Sequence, residues 1–322
     1  MNPAFLVIDK PAGITSHDVV AMVRAVTGLK KVGHTGTLDP FATGVLPLAL
    51  GAATRLISFL DEDLKIYDAR VQLGSATDTG DPTGAVVRTA EVPELTDARI
   101  AEALAGFRGV RMQAPPKYSA VKLQGKPLYK YAREGIDVEA APRPTRIDGI
   151  ELLDRGGDWL QVRIECGRGT YARVLADEIA QALGTAGHLR ELRRTRSGPF
   201  HEGQALSLER LSEIVAERSD WHAVLRPTRG AERVKWRSRD EVAQALAAHT
   251  LAPAAVLTQL PRIEVAPAHV GLIERGEVPA GDQPPDSRVG DLFLLLRPDA
   301  SLLAIARREP AGPKIARLVP KH

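Results

Sequence analysis

The sequence predicts an α+β fold followed by a small, mostly β segment at the C-terminal end. Three observations carry this. Apolar and polar residues alternate over 64–74 and 159–166, the period of a half-buried strand. Other stretches show helical spacing and open on a hydroxyl side chain suited to capping. The two kinds of element mix without a strict strand-helix-strand rhythm, which disfavours a doubly wound parallel sheet.

In chain order, Phe5–Asp9 reads as a buried strand. Thr15 or Ser16 caps a helix with Val19, Val20, Val23 and Val26 on one face, ending at Gly28. Residues 29–53 are punctuated by Gly and Pro and show little periodicity, so no element is assigned there. Leu64–Gly74 alternates, with Tyr67, Ala69, Val71 and Leu73 on one face. Thr96 caps a helix carrying Ile100, Leu104 and Phe107. Trp159–Cys166 alternates again. Thr170 starts a helix carrying Val174, Leu175, Ile179 and Leu183, stopped by Gly184. Beyond Phe200 come helix-like pieces at Leu206–Glu217 and Arg239–His249. Short strands follow at Leu292–Leu296 and Leu302–Ala306.

Composition removes several function classes. The chain has 322 residues, 44% of them hydrophobic, which supports a core. Its single Cys excludes a disulfide framework and a Cys-based zinc site. The eight His show no His-x-x-x-His spacing, so no metal site is expected. Gly28 and Gly33 have Walker-A spacing, but His34-Thr35 stands where Lys-Ser/Thr is required. Aromatics at 4% argue against a long base-stacking platform. The apolar run Ala4–Ile8 is too short for a signal peptide, and no window approaches a membrane span, so the expected location is the cytoplasm. What survives is cofactor-free chemistry by carboxylate, tyrosine and arginine.

The net charge of +3 conceals opposed blocks. Residues 59–102 hold ten acids and four bases, whereas 106–146 hold nine bases and three acids. Bases also dominate 226–239, 307–322 and the run His188–Arg196. One such run is usually a solvated face; several separated ones suggest a polyanion groove.

Two segments concentrate the chemistry. In Gly33–Gly44, Asp39 sits between Leu38 and Pro40-Phe41, a setting suited to a carboxylate held out of bulk water. Spacing alone favours the plainer reading, a turn residue bonded to its own backbone. In Cys166–Arg173, a glycine-rich junction places Tyr171 and Arg173 in a first helical turn, where Arg173 could pair with a buried carboxylate.

Five segments together resemble the successive motifs of TruB-type tRNA pseudouridine-55 synthases. They are Lys10–Val20, Gly33–Pro40, Thr77–Asp81, Gln113–Lys122 and Gly169–Arg173, in family order. The resemblance implies a catalytic domain over 1–225, built on a mixed, mostly antiparallel sheet flanked by helices. Within it, 106–146 matches a basic segment that clamps RNA. An extension of unassigned role follows at 226–258, and 259–322 resembles, more weakly, a small PUA-like domain.

The implied reaction isomerises a T-loop uridine of tRNA to pseudouridine, without cofactor, after the base flips from its stack. The resemblance makes Asp39 the essential carboxylate and Arg173 its bidentate partner. Tyr67 would stack on the flipped uracil, Tyr171 would position it, and Leu192 would line the pocket. His34 would fill the space the base vacates, Arg55 would supply a basic contact, and Asp81 would organise the site. The implied partner is the tRNA T-arm, with a monomer needing no obligatory protein partner and no membrane. The rival readings are a non-catalytic tRNA-binding or tRNA-folding protein, a guide-RNA-dependent synthase and, distantly, a glycoside hydrolase.

Overall fold

A computed structural model describes residues 2–61, 64–119, 121–138, 140–226 and 234–320. Parts of the basic runs 226–239 and 307–322, and of the 226–258 extension, therefore lie outside the described residues. The chain divides into two units: Met1–Asp39, Gly44–Asp61 and Gly198–His322 form one, and Pro40–Thr43 with Glu62–Ser197 form the other.

In the first unit the strand Ala4–Lys10 pairs antiparallel with Thr43–Leu50, Val7 lying opposite Pro47. Thr43–Leu50 falls in the stretch to which the sequence assigned no element. Nearly every residue in it is buried, so the strand has no polar face and no alternation to read. Pro47 adds to the disguise, because proline has no N–H for a ladder; its carbonyl accepts from Thr35 N–H at 3.1 Å.

The helix Ser16–Thr27 forms as expected. Thr15 and Asp18 make a reciprocal capping box, and Gly28 closes the helix at φ 70°. Leu206–Glu217, read as one helical piece, is a correction. Leu206–Ser207 pairs parallel with Ile8–Asp9, and the helix begins only at Leu208, capped by the Ser207 hydroxyl. The helix Arg239–Ala247 forms within its expected span.

The C-terminal strands run in the order Arg262–Glu264, Leu292–Leu296, Leu302–Glu309, Gly312–Leu318. Both faces of this sheet are apolar. Leu294, Leu302 and Ile305 join a core with Phe5, Val7 and Phe200, while Phe293, Leu295 and Leu303 pack with Val265 and Ile273. Burial on both sides explains the uninterrupted apolar run Leu292–Leu296.

The second unit holds an antiparallel sheet in the order Gly187–Ser197, Lys65–Leu73, Trp159–Cys166, Arg143–Arg155, Gly109–Gln113. The two alternating strands form where expected, and Tyr67, Ala69, Val71 and Leu73 are all buried. The helices Asp97–Ala105 and Ala172–Ala182 belong to the same unit. The latter packs on Gly187–Ser197 and Lys65–Leu73.

The run His188–Arg196, read as a basic stretch, proves to be part of a sheet strand. Arg194 is fully buried in it, directly opposite Tyr67. Among the described residues, no helix is long and apolar enough to cross a membrane.

Candidate active site

Each unit contributes its own set of the expected residues. In the first, His34 ends the Val32–His34 strand, pairing with Leu48. Leu38 is held from the start of the first helix. The buried Ser16 hydroxyl accepts from Leu38 N–H at 2.9 Å and donates to Leu38 carbonyl at 3.1 Å. That two-point contact sets the backbone immediately before Asp39. Asp39 itself is half-buried rather than enclosed. Lys10 is fully buried, and its ammonium donates to the Pro11 and Ile14 carbonyls at 2.9 and 2.8 Å, fixing the turn that leads to Thr15. Arg55 ends the 3-10 turn Gly51–Arg55 and is exposed. Asp39 is the last residue of its segment in this unit, and Pro40 the first of the next.

The second unit gathers Tyr67, Asp81, Tyr171, Arg173 and Leu192. Tyr67 and Leu192 lie on neighbouring strands, Leu192 opposite Ala69, so both side chains reach the same face. Both are buried. Arg173 is buried, with 5% of its surface exposed. Its Nη1 donates to the Thr79 carbonyl at 2.9 Å and its Nη2 to the Tyr118 carbonyl at 2.8 Å. The same Nη1 lies 3.7 Å from Asp81 Oδ2.

Asp81 is buried too. Its Oδ1 accepts from the Thr79 hydroxyl at 2.8 Å, Thr83 N–H at 2.9 Å and the Thr83 hydroxyl at 2.5 Å. A buried carboxylate with three donors and a nearby guanidinium is a loop organiser, its charge satisfied in place.

The helix start corrects the sequence reading. Tyr171, not Thr170, is the N-cap of Ala172–Ala182, so only Arg173 sits in the first turn. Tyr171 has no side-chain cap of its own. Its backbone is instead held by Gln113: Tyr171 N–H donates to Gln113 Oε1 at 2.8 Å, and Gln113 Nε2 donates to the Tyr171 carbonyl at 3.3 Å. Val174, assigned to the buried face, is half-buried; Arg173 takes a buried place beside Leu175 and Ala176.

Two titrating groups flank this region. Burial pushes the Glu178 carboxyl above its ordinary value, partly offset by Arg111, whose Nη2 lies 3.4 Å away. Burial likewise pushes the Cys166 thiol up to about 11, which keeps it protonated and unreactive. Among the described residues, no three or more His, Cys, Asp or Glu side chains form a group that could hold a metal ion.

Ser16, Gln113, Thr79 and Tyr118 carry structural work that the sequence reading gave to none of them. Ser16 and Gln113 lie inside the quoted motifs, but their partners are backbone groups 22 and 58 positions away. Thr79 and Tyr118 hold Arg173 through their carbonyls, which every residue has. No side-chain pattern points to either kind of contact.

Comparison with known proteins places these features. Residues 24–172 match the family described as TruB family pseudouridylate synthase (N terminal domain). Residues 173–231 match the tRNA pseudouridylate synthase B C-terminal domain. The chain is 50% identical over 212 residues to a tRNA pseudouridine synthase B of Aromatoleum aromaticum, covering 66% of this chain and 68% of that one. It is 45% identical over 244 residues to one of Geobacter sulfurreducens, covering 72% and 80%. Among solved structures, a Cbf5-Nop10-Gar1 complex contains a chain similar at TM-score 0.68 and 26% identity, with 99% of this chain and 84% of that one covered. An H/ACA RNP bound to a substrate RNA is similar in fold at TM-score 0.68 and 24% identity, with 99% and 85% covered.

Proposed function

The chain belongs to the TruB family of pseudouridylate synthases, and on that footing we propose that it isomerises the T-loop uridine at position 55 of tRNA to pseudouridine. The observation that carries this is the family match across 24–231, which contains four of the five motifs, the Asp39 loop among them.

The chemistry is an exchange within one nucleotide. The bond from C1′ to N1 breaks, the uracil turns, and a bond from C1′ to C5 forms. The C5 proton leaves to solvent and N1 gains one, so no oxidant or reductant is consumed. Such a reaction needs the base out of its stack, a carboxylate and a stacking ring. Asp39 supplies the carboxylate and Tyr67 the ring. Arg173 supplies a fixed cation, held by two carbonyls and near Asp81. Tyr171 positions the substrate, and Leu192 lines the pocket beside Tyr67. His34 occupies the space the base leaves, and exposed Arg55 meets the RNA backbone. The basic segment 106–146 clamps the T-arm stem.

The enzyme acts as a monomer in the cytoplasm on tRNA alone. Support for independence from a protein partner comes from relatives at 45–50% identity that carry the name of a single enzyme. A guide-dependent reading draws on fold neighbours at 24–26% identity whose names describe assemblies. One assay separates the two: tritium release from a T-arm RNA labelled at uridine C5, with no other protein added. Release by the native chain, and none by a folded, RNA-binding Asp39→Asn variant, is the expected result. Release only after a partner is added favours the guide-dependent reading, and turnover by Asp39→Asn removes Asp39 from the mechanism.

A further inference from the structure

The side chain of Gln113 contacts both backbone groups of one residue. It accepts from Tyr171 N–H and donates to the Tyr171 carbonyl, as a strand partner would. It is almost fully buried, at 2% exposure. Gln113 ends the edge strand Gly109–Gln113, opposite Arg143 on the neighbouring strand. Tyr171 opens the helix that carries Arg173.

A second tie runs the other way. Arg173 Nη2 donates to the carbonyl of Tyr118, five residues beyond Gln113. The two ties bracket Pro115-Pro116, the stiffest part of the basic 106–146 segment. Residues 113–118 and the helix start are thus tied at two points.

Helix-end geometry makes Gln113 the sensitive member. Tyr171 is an N-cap without a side-chain cap, and its carbonyl also takes the first helical bond, from Leu175 N–H at 3.1 Å. That carbonyl anchors the first turn of the helix, and Arg173 is the second residue of the turn.

We propose that Gln113 is a positioning residue for the isomerisation, coupling the seat of RNA on the basic segment to the placement of Tyr171 and Arg173. The proposal rests on reading those two residues as part of the active site. Gln113 touches no reacting atom; it acts through the Tyr171 backbone.

The test compares Gln113→Met, which keeps volume but removes the hydrogen bonds to Tyr171 and the one to the Glu178 carboxyl, with Gln113→Ala, Arg173→Lys, Ile150→Ala and Glu178→Gln, the last showing what the carboxyl contact alone contributes. Ile150 is buried on Arg143–Arg155 and serves as a control for lost stability alone. Single-turnover tritium release and equilibrium binding of T-arm RNA are measured at a temperature where each variant is folded. Gln113→Met should slow the single-turnover step by about 10-fold or more with RNA affinity within about twofold of native. Ile150→Ala should keep the native rate.

A native rate in Gln113→Met, or a loss equal to that of Ile150→Ala, overturns the proposal. If Arg173→Lys is slow while Gln113→Met is fast, only the positioning role fails. If Arg173→Lys is as fast as native, the reading of Arg173 fails and the proposal with it.

Discussion

The Ser16 hydroxyl holds both backbone groups of Leu38, accepting at 2.9 Å and donating at 3.1 Å. Ser16 is the first residue of the opening helix, and Leu38 immediately precedes Asp39. A rigid, capped helix therefore sets the backbone of the loop that carries the proposed carboxylate. Gln113 does the same for Tyr171 in the other unit. In both, a short polar side chain on a regular element grips the main chain of an irregular one.

Removing the Ser16 hydroxyl leaves the Leu38 N–H and carbonyl without that partner in a buried position. Ser16→Ala should cost about 1–3 kcal/mol of stability. It should also slow tritium release more than it weakens RNA binding, because the loop before Asp39 loses its anchor. Denaturant melts and single-turnover assays measure the two effects.

Arg173 is buried with two carbonyls bonded and the Asp81 carboxylate nearby. Arg173→Met fills similar space but leaves those acceptors without the guanidinium. The loss should be about 3–5 kcal/mol, as for breaking a buried ion pair from one side. Chemical denaturation reads it directly, and an unchanged midpoint would contradict the buried network.

Gly187 lies where a helix and the sheet of the second unit pack closely. A Cβ placed there would stand 2.4 Å from Ala180 Cβ and 3.1 Å from the Gln72 carbonyl oxygen. Neither neighbour is a flexible side-chain end, so helix and strand would have to move apart. Gly187→Ala should destabilise by about 1–3 kcal/mol, seen as a lowered melting temperature.

Glu178 supplies a pH test. Its folded carboxyl binds a proton more tightly than its ordinary value of 4.5 implies, because burial disfavours the charge. The folded state thus holds more protons than the unfolded one as pH rises above 4.5, and this group's contribution to stability falls through that window. Glu178→Gln removes the titration. The variant should gain on the native protein from pH 4.5 upward and level off above the raised value. Melts across pH 4–8 follow the difference, and a variant that falls behind with rising pH would show that Arg111 outweighs burial.

The sequence by itself determined those parts of the protein whose signal is local. Tyr67, Ala69, Val71 and Leu73 alternate because one face of their strand is buried and the other is not. Thr15, Asp18 and Gly28 bound a helix through contacts within four residues. Motif order placed the segments that hold Asp39 and Arg173 in one family's pattern. Tertiary structure decided what has no local signal. Thr43–Leu50 lacks alternation because it is buried on both sides. Arg194 looks like a surface cation in sequence and is fully buried on a sheet strand, directly opposite Tyr67. The grips of Ser16 on Leu38 and Gln113 on Tyr171 join side chains to distant backbone. Backbone N–H and C=O groups are the same at every residue, so only the folded chain selects which ones are held.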